Sequence, residues 1–269
     1  MPADGKNSLS SVKTCLAGKG DVGLQNILAE LAHAAADATG SGEPEHTRVI
    51  TERSGSIKDS ELIHGIVLVK TRVHREMGLK PKPGRILILD GGMEKRKPEI
   101  EASLKITHTG AIEAFHARER ADLQARVDCL SAANIDCLVA RDGIADEAHA
   151  MLAAAGILAY RRVERPEIEH LCRATGACPV FDVDDIRDED VGHFASIREE
   201  KWLGVEHAIF EGSQSQGVTV VLRGSTGMRL EEAERAFEDA LGVACQLIRE
   251  PQLLPGGGAT QIALARRLR

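Results

Sequence analysis

The sequence has few aromatic side chains. Phe, Trp and Tyr make up 3% of its 269 residues, with one Trp and one Tyr. That is too few for the stacked-ring platforms that grip single-stranded nucleic acid. Positive charge is not in excess either: 34 Lys and Arg stand against 41 Asp and Glu, a net charge of −7. Without a basic footprint, DNA and RNA are not expected partners. No apolar run approaches the roughly 18 residues that a membrane span needs. The opening MPADGKNSLSSVKT has no apolar core of a secretory signal. A cytoplasmic protein without a membrane partner is expected. The six cysteines include no C-x-x-C pair, and Cys129, Cys137, Cys172 and Cys245 sit in mostly apolar stretches, the pattern of reduced core thiols. The ten histidines form no H-E-x-x-H or similar pair, so no metal site is expected. No Ser/His/Asp or Cys/His set supports a hydrolase.

What remains is an ordinary globular mixture, 43% hydrophobic and 28% charged, long enough to bury a core. Three segments follow one another. Up to about Gly65, DVGLQNILAELAHAAADAT places Val22, Leu24, Ile27, Leu28, Leu31 and Ala35 near one helical face. From Gly65 to Leu222, the apolar runs GIVLVK, RILILD, DCLVAR, ILAYRRV, PVFDV, HAIFEG and VTVVLRG alternate with helical stretches. Two of these stretches, DEAHAMLAAAG and PEIEHLCRATG, close on glycine. Such alternation predicts an α/β domain whose sheet is at least partly parallel. After RGSTG comes a long amphipathic helix with a stripe at Leu230, Ala233, Phe237, Leu241, Ala244 and Ile248. The chain then reaches PGGGA and a last helical run.

Candidate chemistry is sparse. Asp239 lies about 180° from Leu230 on the helical wheel, where a carboxylate is ordinarily a solvated face residue and could also position a water. Gly256, Gly257 and Gly258 suit a hinge, and could also bring backbone amides to a phosphate. The helix carrying Met151 and Leu152 reads as a core helix between strands, or as an apolar groove for another chain.

In order and spacing, GSIKDSELIHGIVLVK, ITHTGAIEAF, DGIADEAHAMLAAAGILAYRRV, IEHLCRATGA, DDIRDEDVG, EEAERAFEDAL and PGGGATQIALARRLR resemble the group II chaperonins, the archaeal thermosome and its eukaryotic cytosolic relatives. The resemblance runs from about Asn7 to Arg269. It implies an α/β apical domain with a helical protrusion (ITHTGAIEAFHARERADL) at 65–222. A smaller mixed α+β intermediate domain is implied in two halves, 1–64 and 223–269, with the equatorial ATP-binding domain largely absent. By the same resemblance, Asp239 matches the residue that helps activate the attacking water, and Gly256, Gly257 and Gly258 match glycines beside the nucleotide. Phe115, Ile144, Met151 and Leu152 become candidates for contact with unfolded chains. Three positions depart from the family pattern: Ala145 interrupts an acidic pair, Glu231 stands for Asp, and Gln261 stands for Glu. The protrusion helix carries Arg and Ala where Leu, Met or Lys is common.

The resemblance implies binding of non-native polypeptides, with full-length chaperonin subunits as further partners. ATP and Mg are the family's cofactors, and this chain alone is expected not to bind them or to act as an autonomous ATPase. The sequence is expected to be either a fragment or a short paralogue. Two rival readings are a protein-interaction module built on an apical domain and a small-molecule α/β enzyme.

Overall fold

The computed structural model describes residues 5–94, 109–213 and 217–268. The chain divides into two units, Met1–Ile63 with Val218–Arg269, and His64–Gly217.

In the first unit, α1 (Gly5–Cys15) precedes α2 (Val22–Thr39). Asp21 starts α2 by accepting the Leu24 N–H at 2.8 Å, which satisfies one of the amides a helix start leaves unpaired. Gly40 ends it in the left-handed conformation, φ 60°, and its N–H reaches the Ala36 carbonyl. Val22 is not on the packed face. As the first helical residue it points outward and is exposed. A three-stranded sheet follows, with β9 (Val218–Arg223) at its centre. It pairs in parallel with β1 (Thr47–Glu52) and antiparallel with β2 (Glu61–Ile63). The VTVVLR run thus belongs with the first unit, not the middle segment, because a β-branched strand reads the same whichever sheet receives it. The long helix α6 (Gly227–Arg249) packs Leu230, Ala233, Phe237, Ala240 and Leu241 against Leu28, Ala32 and Ala35 of α2. Alanine on both faces lets the two helices approach closely. α7 (Ala259–Arg267) buries none of its residues.

The second unit is a six-stranded mixed sheet in the order β3-β8-β7-β4-β5-β6. Its parallel part joins β4 (Gly84–Leu89), β5 (Cys137–Ala140) and β6 (Leu158–Tyr160) through α3 (Thr109–Ala132) and α4 (Asp146–Ala154). Strands β5 and β6 are buried at every position, as expected of strands covered on both faces. The antiparallel part is β3 (Gly65–Leu68), β7 (Gly192–Trp202) and β8 (Val205–Gly212). α5 (Arg165–Thr175) lies on that part, begun by a Glu164–Glu167 capping box and ended at Gly176, φ 73°. PVFDV forms no strand. It contributes one bridge, Val180 to Leu89, before the chain turns away. At the sheet's heart Tyr160 meets Phe210 edge to face, with ring centroids 5.3 Å apart. The Tyr160 hydroxyl donates to Glu199 at 3.0 Å, and burial pushes its pKa far up.

Cys137 and Cys245 are buried thiols whose pKa burial raises. Cys172 is half-buried, its thiol pushed up to about 11 mainly by burial. Cys129 departs from the expected pattern: it is exposed, on the outer side of α3. No helix among the described residues is long and apolar enough to cross a membrane.

Candidate functional site

In the first unit, Asp239 is exposed on α6 and its carboxylate pairs with the Lys19 ammonium. Lys19 comes from the turn between α1 and α2, where Gly18 and Gly20 take φ values of 85° and 69°. Those left-handed positions fold the loop back on itself. Cys15 lies close by. Burial raises its thiol pKa, Lys19 opposes the rise, and the Asp239 charge adds to it. Lys19, Met228, Glu231, Glu232, Arg235 and Asp239 line a recess of about 440 Å³. Along the same helix, burial and the charges of Glu238 and Glu231 hold the Glu234 carboxyl above the usual range. Lys19 was not singled out from the sequence. Its one signal is a lysine between two glycines in a short inter-helix turn.

Gly257 and Gly258 take φ values of 65° and 81°, and Gly258 caps the start of α7. A Cβ at Gly256, Gly257 or Gly258 would meet nothing within 4 Å. The segment is therefore open and cradles nothing by itself. Among the described residues, no three His, Cys, Asp or Glu side chains converge as metal ligands.

The second unit separates the four predicted polypeptide-contact residues. Ile144 and Leu152 are core residues, 2% and 0% exposed, packed within the sheet–helix cluster. They offer no surface to a client: Leu152 lies on the buried face of α4, and Ile144, just before α4, is held by a bridge to Met93. Met151 is half-buried against the same cluster. Phe115 is different. It stands 38% exposed on the first half of α3. From Glu113 to Asp122 every position but Glu119 is exposed, whereas Leu123, Val127 and Leu130 enter the core. Half of α3 thus extends past the packed body of its unit.

One exposed aromatic was missed. Phe181 is 76% exposed, beside a recess of about 530 Å³ formed by residues 179–190. The PVFDV pattern read as a strand hid it. The available signal was the dense run of acids directly after it, DVDDIRDED, which no buried strand would carry.

The chain thus leaves a unit of helices and a three-stranded sheet for an α/β unit and returns to it. The fold is similar to the open-state monomer of a group II chaperonin from Methanococcoides burtonii, with a TM-score of 0.77 and 27% identity, over 98% of this chain and 62% of that one. The chain belongs to the TCP-1/cpn60 chaperonin family, which it matches over residues 2–269, and within it to the group II chaperonins. It is 33% identical over 276 residues to the thermosome subunit of Methanopyrus kandleri, covering 100% of this chain and 51% of that protein. It is 40% identical over 224 residues to thermosome subunit alpha of Saccharolobus solfataricus, covering 82% of this chain and 40% of that protein. The chain spans about half the length, or less, of these relatives.

Proposed function

We propose that the chain holds non-native polypeptides, the capture part of a chaperonin's work, through its second unit. The observation that carries this reading is the exposure of the two rings Phe115 and Phe181 outside the core of the second unit. Covering one such ring is worth about 1.5–3 kcal/mol and demands no sequence motif from the partner. That suits capture of many clients.

Asp239 with Lys19 stands in the same proposal as the group that would position an attacking water in an assembled chaperonin. The open Gly256–Gly258 turn supplies no phosphate cradle of its own. Holding is the activity proposed. Light scattering from a chemically denatured client, diluted into the 269-residue chain, tests it. The wild type is expected to suppress aggregation at near-stoichiometric ratio. A Phe115→Ala/Phe181→Ala variant with an unchanged circular dichroism spectrum should lose most of that effect. A wild type that leaves scattering unchanged would refute the reading, and a fully active double variant would remove these rings from the capture surface.

A further inference from the structure

We propose that the first unit binds a free α-amino acid with a large apolar side chain, in a cavity between the starts of α2 and α6. The cavity measures about 400 Å³. That is inside the range of about 300–1,000 Å³ that small-molecule sites occupy. Its floor is apolar. Leu24, Ile57, Leu230 and Ala233 line it; Leu230 and Ala233 belong to the core of this unit, and Leu24 and Ile57 pack against that core. Gly224 lies directly on the floor, where a Cβ would stand 3.0 Å from the Leu230 side chain.

Most of the polar groups around the floor are already engaged. Asp21 accepts the Leu24 N–H at 2.8 Å, and the Ser56 hydroxyl donates to Asp59 at 3.1 Å. Arg223 donates to Ser54 at 3.2 Å and to Glu61 at 2.9 Å. Arg229 and Glu232 are different. Both are exposed, both line the cavity, and neither has a partner among the described residues. Side chains three apart on a helix are neighbours, about 5–6 Å from Cβ to Cβ. These two opposite charges could pair, yet the pair is open. A ligand with a carboxylate and an ammonium on one carbon satisfies both. Arg229 receives the carboxylate, whose two oxygens fit the guanidinium fork, and Glu232 receives the ammonium. The side chain of the ligand then falls on Leu24, Ile57 and Leu230. The charges select a zwitterion and the floor selects its apolar group.

Ligand-detected NMR titration of the 269-residue chain with L-leucine tests this. Three probes each lack one part of leucine: isocaproate the ammonium, isoamylamine the carboxylate, and glycine the side chain. L-Leucine should bind saturably at a single site. Isocaproate and isoamylamine should bind at least about threefold more weakly, the share that one exposed ion pair can supply. Glycine should show no binding. Arg229→Gln should bring leucine down to the level of isoamylamine, and Glu232→Gln to that of isocaproate, both with an unchanged circular dichroism spectrum. Absence of leucine binding up to about 20 mM would overturn the proposal. So would leucine binding that both variants leave unchanged, or glycine binding as tightly as leucine. Isocaproate matching leucine would make the cavity a plain anion site, and isoamylamine matching it a plain cation site; either result overturns the zwitterion.

Discussion

His149 is buried on α4, and its Nε2–H donates to the Ile144 carbonyl at 3.0 Å. Burial lowers its pKa, the Arg161 and His74 charges lower it further, and Asp146, 3.6 Å from Nδ1, acts the other way. The folded state therefore takes up this proton at lower pH than the unfolded chain, which does so near 6.5. Between the two values the unfolded state binds more protons, so stability falls as pH drops through about 6.5 and levels off below the folded pKa. Thermal melts from about pH 7.5 down to about pH 5.5 should show this loss, at most about 1.4 kcal/mol per pH unit from this one group. His149→Gln should flatten the slope. An unchanged slope would assign the effect to another group. Nothing in the sequence marks this histidine, because a lone His among alanines carries no sign of which neighbours will surround it.

The helix that carries His149 is also where the two readings of DEAHAMLAA part. α4 buries Ala148, His149 and Leu152, so it is a core helix with Met151 at its margin. Leu152→Ala should cost about 2–5 kcal/mol in urea unfolding. Leu152→Asp should abolish the folded second unit, since an unpaired buried charge costs several kcal/mol. Met151→Asp should be much milder. If Leu152→Asp kept a cooperative transition with an unchanged midpoint, α4 would not be core. The α/β alternation was readable because strands such as β4 and β5 appear as short apolar runs, ILIL and CLVA. β7 was not, since it carries Arg198, Glu199, Glu200 and Lys201 in a row, with charge on both of its faces, and its register shifts between Phe194 and Ser196. α1 escaped for the same kind of reason: apart from Val12, GKNSLSSVKTC is mostly polar or partly exposed. Periodicity finds elements that bury much, and misses those that bury little.

At the scale of the whole molecule, the order of segments was legible but the seam was not, because VTVVLR does not announce its partner. The pairing of Ile63 with Thr219 shows why the seam lies where it does. The chain leaves the first unit and re-enters it at neighbouring positions of one small sheet. The second unit, His64–Gly217, is thus a continuous insertion with a core of its own, from Ile66 and Leu68 on β3 to Phe210 on β8. A chain of that size can bury about two thirds of its surface, enough for independent folding. Residues 64–217 expressed alone should therefore give a single cooperative melt. The complementary chain, with Ile63 joined to Val218 through a short Gly-Ser linker, should retain the helical signal of α2 and α6. Calorimetry of all three proteins would check this, the full chain showing transitions that match those of the separate pieces if each unit supports itself. If residues 64–217 gave no cooperative transition while the full chain did, the second unit would depend on the first for its stability.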